Sequence, residues 1–296
     1  MAITYSSSGS GGNGTTSGAP GYPASLAAGD WILLLVVTKY PPNAPSTPAG
    51  FTLIGQASGG AGAAGADSGS VYMTAYFRIS DGTETGTIAV PNASGNALQS
   101  RMFRYTKAST DAWTLIGPSV GAFNAATASW SVTGDATLDV RAGDVIVAAS
   151  GANTDLYTWS AESVAITGVT IGTQTERSDT ATPSGDDVCM VFSDHVVSSG
   201  TQSSVPTYTM TASGSSAGVN PAGATILFAL RAAPIVGTCA FTLDAMSVTS
   251  AAVAPAAAAC AFTLGSLTIS STGSVADPSA AVSSLSGVRV GIGIGT

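Results

Sequence analysis

Ala28-Gly29-Asp30 leads directly into Trp31-Ile32-Leu33-Leu34-Leu35-Val36-Val37-Thr38, and Ala142-Gly143-Asp144 leads directly into Val145-Ile146-Val147-Ala148-Ala149. Each apolar run has strand length, well short of the roughly 18 residues of a membrane span. Outward from the first run, a Pro-rich loop (Pro41, Pro42, Pro45, Pro48) leads to Gly50-Phe51-Thr52-Leu53-Ile54-Gly55. The strands Val71–Arg78, Thr87–Val90 and Ser100–Thr106 follow, with a turn at Ser80-Asp81-Gly82. Outward from the second run come Gly168–Gly172, a polar loop, Val188–Phe192, a turn at Ser198-Ser199-Gly200, Thr207–Thr211 and Ala224–Arg231. The two Gly-Asp pairs stand 114 residues apart, and the strands repeat in order and spacing. This predicts an internal duplication. Short strands between turn signals at this spacing predict an all-β chain of two tandem β-sandwiches, jelly-roll or Ig-like. One interlocked jelly roll built from both halves is the alternative.

The predicted organisation is a first sandwich over 1–110, a second over 111–233 and a strand-repeat segment over 234–296. Residues 6–18, rich in Ser and Gly, read as a flexible arm or glycine-rich loop. In the last segment Cys-Ala-Phe-Thr-Leu occurs at Cys239–Leu243 and again at Cys260–Leu264, 21 residues apart, each after a proline (Pro234, Pro255). Met246-Ser247-Val248-Thr249 and Leu267-Thr268-Ile269-Ser270 continue the copies as alternating strands. Two-residue connections predict hairpins. Gly265-Ser266 suits a type II′ turn and Asp244-Ala245 suits it poorly. One face then carries Phe241, Leu243, Met246 and Val248 in the first copy, and Phe262, Leu264, Leu267 and Ile269 in the second. An isolated hairpin is marginal in water, so these eight residues are expected to be covered by a partner.

Composition narrows the function classes. Charged residues are 9% of the 296 and apolar residues 45%, which allows a packed core without long helices. The net charge is −8, and the nine basic residues are dispersed, so no phosphate-tracking patch is expected. The first residues lack the basic and apolar regions of a secretory signal. Three cysteines (189, 239, 260) make no disulfide framework and suit a reducing cytoplasm. Neither nucleic acid nor membrane is an expected partner.

Several residues invite a chemical reading. Gly117-Pro118-Ser119-Val120-Gly121 matches the nucleophile elbow G-x-S-x-G, with Asp155 and Glu162 as acids and His195, the only histidine, following in hydrolase order. No helical period follows it, so a turn between strands is the preferred reading. Gly60-Ala61-Gly62-Ala63-Ala64-Gly65 fits G-x-G-x-x-G but precedes a strand, which removes the dinucleotide reading. Asp179, Asp186 and Asp187 share one polar loop that could offer oxygens to Ca²⁺. Cys189 with His195 is too sparse for zinc. Trp31, Trp113, Trp130 and Trp159, with Tyr157, could present a sugar-stacking surface, although aromatic residues in strands more often belong to a core. No cofactor, metal or catalytic residue is expected.

The order Ala-Gly-Asp plus apolar strand, then Gly50-Phe51-Thr52-Leu53, then Val71–Arg78 and Asp81-Gly82-Thr83-Glu84, resembles β-sandwich modules of tailed-bacteriophage structural proteins. Leu227–Ala232 is similar to their closing strand, and the repeats after Pro234 are similar to terminal repeats of virion proteins. The resemblance covers roughly residues 24–270. It implies a non-enzymatic virion component, such as a capsid decoration or tail protein. Such a protein is assembled in the host cytoplasm, and its partners are other virion proteins and copies of itself. A carbohydrate-binding module contacting host surface glycan is the alternative, and a serine hydrolase through Ser119 the remote one.

Overall fold

A computed structural model describes residues 3–39, 45–92, 96–108, 112–124, 127–155, 157–182, 187–214 and 221–233. Every regular element among them is a strand, and the chain is all-β as expected. The first half contributes β1 (Ile3–Ser8), β2 (Gly12–Gly14), β3 (Ser17–Gly18), β4 (Trp31–Lys39), β5 (Thr52–Gly59), β6 (Val71–Ile79), β7 (Val90–Pro91) and β8 (Leu98–Lys107). The second contributes β9 (Ala112–Phe123), β10 (Ser129–Thr133), β11 (Val145–Ala152), β12 (Tyr157–Ala165), β13 (Val169–Thr182), β14 (Val188–Gly200), β15 (Thr207–Gly214) and β16 (Gly223–Ala233).

The main sheet of the first half runs β1-β8-β4-β6-β5, with β2 added on β8. That of the second runs β9-β16-β11-β14-β13, the same order strand for strand. A smaller sheet, β3-β7, accompanies the first, and β10-β15-β12 the second. All pairings are antiparallel, and no sheet among the described residues mixes strands from the two halves.

The duplication extends to single hydrogen bonds. Gly29 and Gly143 both sit at φ +91°, a conformation open to glycine. Gly29 N–H donates to Ser80 O and Gly143 N–H to Val197 O. Asp30 Oδ2 accepts from the Ala27 N–H and from Arg104 Nε at 2.7 Å. Asp144 Oδ2 accepts from the Arg141 N–H, and Arg231 grips both its oxygens at 2.7–3.2 Å. Arg104 and Arg231 lie on β8 and β16, which are equivalent strands. The repeated Ala-Gly-Asp therefore marks a buried carboxylate that fastens the turn before the central strand to the closing strand beside it.

The two main sheets pack face to face. From β4, Trp31, Leu33, Leu35 and Val37 point into the space between them, and from β11 so do Val145, Val147 and Ala149. Phe103 of β8 and Phe192 of β14 meet there with ring centroids 4.4 Å apart. The opposite faces are filled within each half. Ile32, Leu34 and Val36 pack against Phe51, Tyr76, Val90, Leu98 and Met102. Ile146, Ala148, Val191 and Leu227 pack against Trp130, Trp159, Tyr208 and Met210 of the three-stranded sheet. Polar clasps flank the shared core. The buried Lys39 ammonium donates to the main-chain oxygens of Asn153 and Asp187. Tyr105 Oη and Arg177 Nε both donate to Asp194 Oδ2, at 3.0 and 2.8 Å. Along one edge the Gly60 N–H donates to Phe123 O at 3.0 Å.

Three expectations are corrected. Residues 6–18 are no flexible arm, since β1 and β2 pair with β8 and β3 pairs with β7. A side chain at Gly12 would lie within 2.6 Å of the Ala19 and Pro20 backbone, so glycine there reflects crowding. Residues 117–121 form no turn between strands but lie inside β9, where the pairing with β16 slips between Leu227 and Ala229. The polar loop after Gly172 is the continuation of β13, whose polar residues lie on an edge strand. Residues 234–296, with both Cys-Ala-Phe-Thr-Leu copies, lie outside the described residues.

Truncating Phe192 to Ala is expected to cost about 3–5 kcal/mol. Because the core is shared, hydrogen exchange should quicken in Trp31–Lys39 as well as in Val145–Ala152. Protection lost only in the second half would contradict a common core. Asp144→Ala strands the Arg231 guanidinium and should cost about 3–5 kcal/mol in a denaturant titration.

Candidate functional site

The residues of the hydrolase reading are not brought together. Ser119 lies on β9 and His195 on β14, with β16 and β11 between them. Three strand spacings put about 14 Å between the two strands. Ser119 Oγ accepts from the Asp135 N–H instead. His195 is fully buried, its Nε2 lies 3.3 Å from Ser193 Oγ, and its Nδ1 has no partner. Among the described residues no carboxylate orients the imidazole as a catalytic acid would. Burial pushes its pKa down to about 4.

The aromatic platform is also not formed among the described residues. Trp31, Trp130 and Trp159 are core residues, at 1%, 1% and 4% exposure. Trp113 is partly buried, tilted against Trp31, and donates Nε1–H to Gly29 O. Cys189 is buried, accepts from Trp159 Nε1–H, and has its thiol pushed up to about 12 by burial. A thiol so held is inert. Six residues of extended strand, about 20 Å, separate it from His195. The eight residues expected at an assembly interface, Phe241, Leu243, Met246, Val248, Phe262, Leu264, Leu267 and Ile269, lie outside the described residues.

The acidic loop resolves differently from expectation. Asp179 lies on β13, where it accepts the Trp159 N–H, and Asp186 is outside the described residues. Asp187 instead meets Asp67 and Asp155, with one carboxylate oxygen from each lying within 4.8 Å of the others. Thr154 Oγ1 donates to Asp67. These are oxygen ligands of the kind a hard cation takes, but three carboxylates fall short of the six to eight oxygens of Ca²⁺.

Sequence reasoning missed a second acidic group. Glu176 on β13 lies close enough to Glu162 on β12 and to Asp179 to feel both charges. Gln174 Nε2 reaches Glu162 Oε2 at 3.4 Å, while Glu162 Oε1 is buried without a partner. Burial, then the charges of Glu162 and Asp179, push Glu176 up to about 6. Nothing in the linear spacing of 162, 176 and 179 marks this convergence. Strand register and the packing of β12 over β13 create it.

A further polar arrangement lies where the main sheets part, along β8 and β13. A cleft of about 220 Å³ is lined by Gly11, Asn13, Gln99, Ser100, Arg101, Thr180 and Ala181. Comparison of the chain with protein-family models, with curated proteins and with solved structures finds no match in any of the three.

The two titrating groups pull stability in opposite directions. Neutral His195 favours the fold, so its contribution is complete above pH 6.5 and is lost as pH falls towards 4. The full loss is about 3 kcal/mol. Glu176 favours the fold while protonated, so its contribution is complete below pH 4.5 and is lost as pH rises through 6. Calorimetric melts from pH 4 to 8 should show His195→Leu flattening the acid limb. Glu176→Gln should raise Tm at pH 8 and leave it unchanged at pH 4.5.

Proposed function

We propose that this chain is a non-enzymatic structural component of a tailed-phage virion, displayed on head or tail and docked through residues 234–296. The observation that supports the reading most is the bond-for-bond duplication of one sheet architecture around a shared core. Two copies of one unit packed on a common core suit a protein that is itself repeated over a particle surface. The residues that a catalytic reading would use support it too, since Ser119, Cys189 and His195 are buried in packing, with Ser119 strands away from the other two and Cys189 and His195 far apart along β14.

The repeats at Cys239–Leu243 and Cys260–Leu264 give the docking its proposed chemistry. Phe241, Leu243, Phe262, Leu264, Leu267 and Ile269 are six large apolar anchors. Each is worth roughly 1.5–3 kcal/mol when fully buried, before ordering costs. Repetition of the chain around a symmetric particle would multiply the effect through avidity.

Deletion of residues 234–296 should leave a folded body with unchanged melting behaviour, because all three described cores lie before Ala233. That truncated protein should not join the particle in an assembly assay. Normal occupancy of the truncated form would overturn the reading.

A further inference from the structure

The cleft between β8 and β13 combines two features that point to a ligand. The first is Gln99. It is 3% exposed, it lines the cleft, and its Oε1 has no hydrogen-bond partner. A buried amide oxygen left unpaired costs about 1–3 kcal/mol. The second is Arg101. Arg78, Arg104, Arg177 and Arg231 each meet a carboxylate, whereas Arg101 makes no ion pair among the described residues. Its guanidinium is held in place by neutral oxygens: Nε donates to Gly9 O at 3.1 Å and Nη2 to Ser8 Oγ at 2.9 Å. Nη1 reaches Ser178 Oγ only at 3.5 Å, the longest of the three contacts and the one most easily given up to a stronger acceptor.

The lining selects the chemistry. One guanidinium offers a single positive charge in a planar fork that matches a carboxylate. The remaining polar groups, from Asn13, Gln99, Ser100 and Thr180, are neutral amides and hydroxyls that both donate and accept. Hydroxyl groups complement them, and an apolar ligand would leave the Gln99 oxygen unpaired. The volume of about 220 Å³ is below the roughly 300 Å³ at which drug-sized pockets begin, which limits the occupant to about one ring.

We propose that this cleft binds one acidic sugar residue, its carboxylate on Arg101 and its hydroxyls on Gln99, Asn13 and Thr180. The inference does not rest on the assembly role of residues 234–296. Loss of binding and loss of particle incorporation are read by separate experiments.

Saturation-transfer NMR and calorimetric titration of the full chain test it, with glucuronate and galacturonate as probes and glucose, acetate and phosphate as comparators. The expected result is saturable binding of at least one uronate, about tenfold or more tighter than glucose or acetate. Arg101→Gln should weaken that binding by about tenfold or more, and Gln99→Leu should weaken it measurably. Thr180→Trp, a change at a half-exposed position, should block the mouth of the cleft without touching the core. It keeps the test decisive if either buried variant fails to fold. Uronates that bind no better than glucose and acetate would overturn the proposal. So would phosphate binding more tightly than uronate, or uronate binding that Thr180→Trp leaves unchanged.

Discussion

The structure depends on two strands that are apolar on both faces. All nine residues of β4 and all eight of β11 are buried. A strand of this kind cannot sit on a surface, because each face needs its own cover. In β4, Trp31, Leu33, Leu35 and Val37 face the second half's sheet, while Ile32, Leu34 and Val36 face the loops and small sheet of the first. In β11 the inner residues meet β4's sheet and the outer ones meet the three-stranded sheet. The outcome is a stack whose middle core belongs to neither half alone.

Polar side chains then fix what apolar packing leaves free. Apolar faces slide with little penalty, whereas buried charges tolerate little displacement. Asp30 with Arg104, and Asp144 with Arg231, lock each central strand's entry turn to its closing strand. Lys39 at one side and Tyr105-Asp194-Arg177 at another tie the halves together across the shared core. The same packing leaves polar groups incompletely satisfied: His195 Nδ1 and Glu162 Oε1 between the outer sheets, and Gln99 Oε1 at the cleft. His195 makes stability depend on pH, and Gln99 gives the cleft its appetite for a hydroxyl-bearing partner.

The legible parts of the fold were those written in apolar side chains. Trp31–Thr38, Val71–Arg78 and Val145–Ala149 announced themselves, and the observed β4, β6 and β11 contain them. Strands made of Ser, Thr and Gly did not. β1, β2 and much of β13 are held chiefly by main-chain ladders, which leave no period in side-chain hydropathy. The candidate sites were less legible still. Asp179, Asp186 and Asp187 are neighbours in sequence, yet the carboxylates that meet are Asp67, Asp155 and Asp187. Four tryptophans read as a possible binding surface became, for the most part, interior packing.

The sequence by itself determined the all-β class, the central strands and the repeat of Ala-Gly-Asp 114 residues apart. These follow from local chemistry: runs of branched apolar residues favour extended chain, and a Gly-Asp pair builds the turn that feeds it. Only the tertiary structure decided that the two main sheets face one another. It also decided that Arg104 and Arg231 complete the Asp corners, and that Gln99 and Arg101 stand opposite Thr180. Those pairings span tens to hundreds of residues. They are set by register and by the face on which each side chain emerges, and a shift of one residue along a strand reverses that face.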